Sequence, residues 1–444
     1  MLYNLNQSRD KNLINKDIYI ERIRKIHSNF IYLYYILKTK IKNNHQKERF
    51  IMLNGEKKIA RPLRWGMVGG GRTGQVGYKH RTGALRDNTA YQLLAGAFDV
   101  DFARGKDFGT NLGVAEDRIY PDYQTMFEQE AKRPDGIEVV SIATPNFTHY
   151  EITKAALNAG LHVICEKPLF FKVAQGEEIK KLAAEKGKIV GVTYGFSGFQ
   201  LLLQMRDMIK AGAIGDVHMI ELRYTHGFSC DEIGDKTNES QKWRVDPKKS
   251  GPSFVLGDLS THTFYMSQLI CPDNKLQEVL CDRQSFVKSR KPLEDNAYVL
   301  MHYENGVVGR MWVSSVDAGS VDSQHIRIVG SKASLEFTDS QPNELHYEVQ
   351  GKPNQVLTRG MGYLSDDCNY YERMGVLHTE GLGDSWANVY LKIAMAIDAK
   401  NRGDEEALSK IVYPDINAGI DGIRWITKCV ESADKGGVWV DFNK

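Results

Sequence analysis

Hydrophobic positions between residues 62 and 194 fall into short continuous runs separated by stretches of helical periodicity. The runs cover residues 65–68, 91–98, 137–143, 161–165 and 189–193. Continuous apolar runs of strand length are typical of strands that are covered on both faces. Because each connection between runs has the length of a βαβ crossover, the pattern predicts a doubly wound parallel sheet over this part of the chain.

The pattern changes after residue 195, where longer strand-like runs follow one another with short turns. They cover residues 217–226, 297–303, 307–316, 325–329 and 333–337. Glu304-Asn305-Gly306 is a strong hairpin signal, and strands joined in this way form antiparallel sheets. Helical patterns near 386–400 and 416–433 could cover one face and leave the other open. We therefore expect residues 195–444 to form an α+β domain with a large, mostly antiparallel open sheet, within an α/β protein.

Length and composition narrow the function classes. With 444 residues, 42% hydrophobic and 26% charged, the chain is typical of a globular protein with two domains. Its net charge is +2, but residues 1–50 carry 11 Lys or Arg against 4 Asp or Glu, so the rest is mildly acidic and gives no support to nucleic-acid binding. Six cysteines without metal-binding spacing predict reduced thiols in a cytoplasmic protein and no metal site.

Residues 1–51 form a basic extension of a different composition, without Gly, Ala, Val or Pro in the first fifty. Their continuous apolar run, residues 30–37, is far shorter than the ~20 residues that span a membrane. Three interpretations stay open: a basic amphipathic helix that lies on a partner or membrane, a disordered tail, or translated sequence upstream of the true start. The abrupt change of composition favours the last, with Met52 as the first residue.

A glycine-rich turn follows the first apolar run. Gly69, Gly71 and Gly74 fit the GxGxxG fingerprint of dinucleotide-binding turns, in which bare backbone N–H groups and a helix N-terminus receive a pyrophosphate. Gly77 competes with Gly74 for the third position, three residues further on, and the sequence does not decide which glycine packs helix on strand. An ordinary loop is the alternative.

Asp99 ends the second apolar run, a little over 20 residues beyond the glycines. A carboxylate at this point is placed to accept hydrogen bonds from a ribose 2′-OH, which favours NAD over NADP because a 2′-phosphate would meet like charge. Arg104 nearby leaves NADP open. The alternative role for Asp99 is a solvated cap of the next helix.

Two further loops start where parallel strands should end, and ligands bind at this edge of such sheets. Thr144, Pro145, Asn146 and His149 follow the third run, and Glu166-Lys167-Pro168 follows the fourth. A lysine cation at this edge, near a reacting oxygen, would stabilise developing alkoxide charge. A solvated loop cation is the alternative for Lys167, and a merely structural role is the alternative for His149.

Taken together, the glycine turn, Asp99, the ATPNFTH loop and the strand ending in EKP resemble the glucose-fructose oxidoreductase, inositol dehydrogenase and MocA (Gfo/Idh/MocA) family of NAD(P)-dependent oxidoreductases. The resemblance extends from about Pro62 to the C-terminus. It implies a Rossmann domain, and a Lys167 that contacts both cofactor and substrate. It also implies that Pro145, Asn146 and His149 lie along the nicotinamide half of the cofactor, and that the Lys167–Pro168 bond is cis. We expect Thr144 and Glu166 beside the same cofactor.

A second candidate cluster opens an apolar helix in the second half of the chain. Asp258 and His262 are four residues apart, so they share a helix face, and a carboxylate beside an imidazole supports its basicity. From spacing alone, an N-cap aspartate and a core histidine are equally good interpretations. The resemblance implies the family's catalytic Asp-x-x-x-His at this point, with His262 as base and Asp258 orienting it.

The substrate pocket departs from the commonest family pattern, because the chain has Tyr194-Gly195-Phe196 and Gly251-Pro252-Ser253 where many members carry an arginine and a third glycine. Further polar and aromatic residues are candidate substrate contacts: Tyr194, His226, Trp243, Arg244 and His378. We expect a dehydrogenase of a sugar, polyol or inositol that forms a homodimer or homotetramer through its open sheet. A redox-neutral epimerase or glycoside-cleaving enzyme that recycles NAD, and a non-catalytic nucleotide or sugar sensor, are the alternatives.

Overall fold

A computed structural model describes residues 58–72, 74–230, 243–320 and 324–444. The basic extension of residues 1–51 therefore lies outside the described residues. None of the helices in the described part of the chain has the length and apolar character of a membrane span.

The first part of the chain alternates strands and helices. Its strands are β1 (Leu63–Gly69), β2 (Tyr91–Ala97), β3 (Val139–Ala143), β4 (His162–Cys165) and β5 (Val190–Val192). Its helices are α1 (Gly77–Leu85), α2 (Phe102–Asn111), α3 (Tyr123–Glu130), α4 (His149–Asn158) and α5 (Val173–Lys186). All five strands are parallel, in the order β2-β1-β3-β4-β5. β3 and β4 are buried along their whole length, as their continuous apolar runs predicted.

The second part is built around a sheet of nine strands. They are β6 (Val217–Thr225), β7 (Leu276–Gln284), β8 (Asn296–Tyr303), β9 (Val308–Ser314), β10 (Gln324–Gly330), β11 (Ala333–Thr338), β12 (Glu344–Val349), β13 (Gln355–Thr358) and β14 (Val440–Asp441). Their order is β13-β12-β11-β10-β6-β9-β8-β7-β14, with the β6–β9 pair parallel and the other pairs antiparallel. The predicted fold class, a parallel Rossmann sheet followed by a mostly antiparallel sheet, is confirmed.

Helices α6 (Gln200–Lys210), α8 (Thr261–Ile270) and α12 (Ile416–Asp434) cover one face of the large sheet. The other helices of this part are α7 (Pro247–Ser250), α9 (Asp366–Asn369), α10 (Leu382–Arg402) and α11 (Glu405–Lys410). Inward residues such as Val299, Met301 and Val313 are buried against α6, α8 and α12. Tyr298 and Leu300 point to the opposite face and are about half exposed, so that face is open.

Helix α10 follows the predicted domain division at residues 194 and 195 in sequence, but it packs on the sheet that precedes this division. Its side chains Val389, Tyr390 and Ile393 share a core cluster with Trp65 and Tyr91 of the first sheet. The cluster shows that α10 covers one face of the Rossmann sheet although it follows the second sheet in sequence. The domain boundaries themselves stay a prediction.

Candidate active site

The glycine turn after β1 requires glycine because backbones approach closely there. Gly69 has a φ of +77°, and a Cβ on it would lie 2.5 Å from the carbonyl oxygen of Ala143. A Cβ on Gly71 would lie 2.6 Å from the carbonyl oxygen of Phe98. The turn is thus held against the carboxyl ends of β2 and β3, where a dinucleotide is bound in such sheets.

The structure settles which later glycine packs helix on strand. Gly77 opens α1, and a Cβ there would lie only 2.0 Å from the carbonyl oxygen of Gly70, whereas one on Gly74 would lie 3.1 Å from the Gly70 Cα atom. Gly77 therefore makes the closest approach. No side chain among the described residues caps α1, so its first N–H groups suit a phosphate. This arrangement fits a dinucleotide cofactor.

Asp99 lies directly after β2, with its side chain 4% exposed. Its Oδ1 accepts hydrogen bonds from the backbone N–H of Asp101, at 3.0 Å, and from Arg104, at 2.9 Å. The cap of α2 is Asp101, which accepts from the Arg104 N–H, so the capping alternative for Asp99 is wrong. A carboxylate held here suits a ribose hydroxyl.

The loop after β3 is tied to the loop after β4 by His149. Its Nε2 lies 2.9 Å from the carbonyl oxygen of Thr144, and its Nδ1 lies 3.1 Å from that of Pro168. The imidazole is fully buried, and burial lowers its pKa. Both ring nitrogens face backbone carbonyls, so His149 joins the two loops, and its expected contact with the cofactor stays a prediction. Asn146 donates to the carbonyl of Ser250 at 3.3 Å, and Pro145 and Thr144 are at least partly buried beside it.

Lys167 and Asp258 meet at the end of β4, 91 residues apart in sequence. The Lys167–Pro168 peptide bond is cis. Lys167 Nζ donates to Asp258 Oδ1 at 2.8 Å and also to the Asp258 carbonyl oxygen. Burial opposes ionisation of Asp258, but Lys167 and Arg244 outweigh it and hold its pKa well below the usual range. The pair is therefore a carboxylate with an ammonium group.

The described contacts include no hydrogen bond between His262 and Asp258, so the orienting role of Asp258 stays a prediction without a supporting contact. The two residues lie in consecutive segments, a wide π-helical turn over Leu256–Ser260 and then α8, and the Asp258 carboxylate turns to Lys167. Within the described residues, His262 Nδ1 is buried without a hydrogen-bond partner. Burial and the charge of Lys167 lower the pKa of His262 well below its usual value, so the imidazole is neutral. A neutral imidazole can accept a proton.

Tyr194 packs behind His262. Its side chain is 1% exposed, its ring stacks on Tyr265 with centroids 4.8 Å apart, and its hydroxyl faces the Ala418 carbonyl. The Tyr194 and His262 rings are in a T-shaped arrangement, with their centroids 5.9 Å apart. Tyr194 therefore supports the imidazole from the interior, and its predicted substrate contact stays a prediction.

Of the remaining predicted pocket residues, Arg244, Trp243 and His226 lie beside this cluster. Arg244 donates to Gln75 of the glycine turn, and its Nε lies 3.8 Å from Asp258 Oδ2, so it bridges the two halves of the site. Trp243 lies under the Arg244 guanidinium at 5.0 Å. His226 is partly buried beside Tyr224, whose ring is 6.4 Å from that of His262.

His378 does not join this cluster in the described contacts. It lies exposed on the loop before α10, where its carbonyl oxygen accepts a hydrogen bond from Arg359. Its role as a substrate contact stays a prediction without a supporting contact.

Glu166 is buried, at 6% exposure, and its predicted contact with the cofactor stays a prediction. Its carboxylate accepts from the Thr193 hydroxyl at 2.6 Å and from the Lys167 N–H at 3.2 Å, and it lies 3.1 Å from His80 Nε2. Burial opposes its ionisation, but His80, Lys167 and Thr193 together lower the pKa of Glu166 to about 2. Glu166 therefore fixes the backbone from which Lys167 projects.

Two residues that sequence reasoning missed support this arrangement. His80 Nδ1 lies 2.6 Å from the Tyr390 hydroxyl of α10, and Tyr390 in turn lies 2.9 Å from Ser141 Oγ of β3. His80 follows Gly77 by three residues, and this position close to the glycine turn could have marked it in the sequence. Tyr390 has no comparable signal because it comes from a helix more than 300 residues away.

Lys79 was also missed. It is partly buried on α1, and burial lowers its pKa, while Glu166, Lys167, Asp258 and Arg244 all act on its charge. A second lysine therefore faces the same cluster as Lys167. The site as a whole joins a neutral imidazole, an ammonium group fixed by a carboxylate, and a glycine turn at one edge of a parallel sheet. Such a set can accept a proton and stabilise negative charge on an oxygen.

Comparison with known proteins gives two matches to family models. Residues 63–194 match the NAD-binding Rossmann fold of the Gfo/Idh/MocA oxidoreductase family, and residues 206–442 match the C-terminal alpha/beta domain of the same family. The chain is also 70% identical over 392 residues to the uncharacterized oxidoreductase YfiI of Bacillus subtilis, covering 88% of this chain and all of that protein.

Solved structures with the same fold include an inositol dehydrogenase homolog from Azotobacter vinelandii. Its complex with NAD+ is 54% identical, with a TM-score of 0.86, and covers 88% of this chain and all of that chain. Its complex with NADH and myo-inositol is 53% identical, with a TM-score of 0.84 and the same coverage.

Proposed function

The chain belongs to the Gfo/Idh/MocA family of oxidoreductases, and we propose that it oxidises a secondary alcohol of a sugar, polyol or inositol with NAD. The observation that carries this proposal is the meeting of Lys167, Asp258 and His262 at the end of β4, beside the glycine turn that Arg244 contacts. The NAD and myo-inositol complexes of the similar Azotobacter protein support the choice of cofactor and substrate class.

Different residues would bind the cofactor and accept the proton in this reaction. Gly69, Gly71 and Gly77 would hold the pyrophosphate, and Asp99 the ribose of the adenosine half. When bound, NAD supplies the acceptor for the hydride. His262 Nε2 or Nδ1 accepts the hydroxyl proton, because burial keeps the imidazole neutral.

The roles of the charged residues follow from their contacts. Lys167 Nζ stabilises the negative charge that develops on the substrate oxygen, and Asp258 fixes the position of that ammonium group at 2.8 Å. Glu166 and His80 hold the backbone behind it. We assign Asp258 to Lys167 rather than to His262, because the described contacts of its carboxylate lie on that side.

The test is formation of NADH, followed by absorbance at alkaline pH, with NAD+ and a panel of inositols, aldoses, sugar acids and glycosides. We expect turnover of at least one polyhydroxylated alcohol, and a loss of roughly 10²-fold or more in Lys167→Ala and in His262→Ala. Lys181→Ala and His218→Ala, both at exposed positions, are the matched controls. Product formation without net NADH would instead identify a redox-neutral reaction, and binding without any product would identify a sensor.

We also propose that the open face of the large sheet forms a homodimer or homotetramer. Met219, Tyr298, Leu300 and Val308 on this face are each between 41% and 50% exposed, which is unusual for neighbouring large apolar side chains. Light scattering of Leu300→Glu should show a smaller particle than the unmodified protein. A monomeric unmodified protein would refute the proposal. The six unpaired cysteines support the cytoplasmic location that we propose.

A further inference from the structure

One lysine outside the active site is buried without an acid to neutralise it. Lys392 lies in the middle of α10 and is 4% exposed. Its Nζ atom lies 4.8 Å from the centre of the Tyr371 ring, and within the described residues no carboxylate reaches ion-pair distance from it. Buried ammonium groups are normally paired, so an unpaired one calls for a counter-charge.

This lysine lines a cavity of about 350 Å³. The cavity lies between α6, α10 and the segments that contain α9 and α11. Its walls are largely apolar or aromatic, with Leu203, Met395, Ile411, Val412 and Tyr370 among them. A concave space with largely apolar walls and a few placed polar groups is the usual form of a small-molecule site.

The arginine and aspartate charges of the wall, and that of Lys410, are paired with close partners. Lys58 lies at the rim over the Tyr370 ring, at 4.6 Å. The ion pairs are Arg206–Asp367 at 2.7 Å, Arg402–Asp398 at 2.9 Å and Lys410–Glu406 at 2.6 Å. Lys392 is therefore the charge of this wall that a ligand would satisfy.

The titration of Lys392 agrees with this interpretation. Burial and the charge of Arg206 lower its pKa to about 8, while the smaller effect of Asp367 acts in the opposite direction. Burial raises the pKa of Tyr371, so the ring beneath the ammonium stays neutral throughout the range in which Lys392 titrates. At neutral pH the lysine is mostly protonated, and an anion beside it would raise its pKa.

We propose that this cavity binds a small organic anion, with a phosphate or carboxylate group on Lys392 Nζ and an apolar or aromatic body against the walls. The anion supplies the counter-charge that the described residues do not provide at ion-pair distance. This site is distinct from the active site, which lies at the carboxyl ends of the parallel strands.

Calorimetric titration of the full chain, saturated with NAD+ so that the phosphate-binding turn is filled, tests the proposal. The probes are phenyl phosphate, benzoate and uncharged benzyl alcohol, and the two anions distinguish a phosphate site from a carboxylate site. We expect at least one anion to bind and the alcohol to bind at least tenfold more weakly. Lys392→Met should weaken the anion roughly tenfold or more, because a charge-assisted hydrogen bond is lost. Lys400→Met, on the same helix but paired with Glu405, should not change it.

Two further measurements distinguish a loss of the anion site in Lys392→Met from a general loss of folding. Thermal unfolding of Lys392→Met should occur at or above the temperature of the unmodified protein, because an uncompensated buried charge has been removed. In the unmodified protein, affinity for the anion should fall as the pH rises from about 7 to about 9, as Lys392 loses its proton. Anion binding that is as tight in Lys392→Met, that is matched by benzyl alcohol, or that is independent of pH would overturn the proposal.

Discussion

Replacing Glu166 by glutamine tests whether the buried carboxylate behind Lys167 is an energetic support of the site. The pKa of Glu166 is lowered from 4.5 to about 2 by its partners in the folded protein. At 1.36 kcal/mol for each pKa unit, the charged form contributes roughly 3 kcal/mol to folding at neutral pH. Glutamine keeps the shape but removes the charge, so Glu166→Gln should lose roughly that amount.

The sign of the pH dependence follows from the same shift. Because the folded-state pKa is depressed, the contribution is complete above about pH 4.5 and is lost as the pH falls towards about 2. Urea unfolding of both proteins at several pH values measures the difference. It should be constant at and above about pH 5 and shrink below about pH 4.5.

Glu178→Gln is the matched control, since Glu178 pairs with Lys154 on the exposed surface and its loss should leave stability unchanged. The reasoning would be refuted by a Glu166→Gln protein within about 0.5 kcal/mol of the unmodified one at neutral pH. A difference that grows rather than shrinks on acidification would refute it equally.

Three other predictions concern the cofactor turn and the base. Gly77→Ala should destabilise the protein by about 3 kcal/mol in urea unfolding and weaken NAD binding, because the new Cβ would lie 2.0 Å from the backbone. Gly383→Ala, whose Cβ would lie 3.4 Å from its nearest atom, should not, and equal stability of the two variants would contradict the prediction. Asp99→Ala should raise the kcat/KM for NADP relative to that for NAD by roughly tenfold, because it removes a negative charge that would repel the 2′-phosphate and releases Arg104. An unchanged ratio would show that Asp99 does not select the cofactor. The pH profile of kcat/KM should lack an inflection near 6.5, because burial and Lys167 keep His262 neutral there; a fall through that value on acidification would assign the base elsewhere.

Much of the architecture could be predicted because it depends on local periodicity. The five parallel strands and the hairpin of β8 and β9 follow from apolar runs and turn residues. Strands β7, β12 and β13 were missed. Most of their exposed positions carry polar side chains, β13 has only four residues, and a register shift in β7 interrupts the alternation, so the apolar signal is weak.

The site was predicted less completely than the fold. Motif reasoning located Lys167, Asp258 and His262, since each lies next to a strand end or helix start that the sequence marks. It paired Asp258 with His262 and did not find the contact with Lys167, because spacing along a helix says nothing about a lysine 91 residues away. It also placed Tyr194 in the pocket, although that ring is buried.

The sequence by itself therefore determined the order of strands and helices, the glycine turn and the residue types at the strand ends, because these depend on neighbours within a few turns of chain. The tertiary structure decided which of these residues touch. It brought α10 back to the first sheet, linked Tyr390 through His80 to Glu166, and left Lys392 buried without an acid. The physical reason is that burial and charge pairing between distant segments depend on how whole sheets and helices pack, which no local pattern encodes.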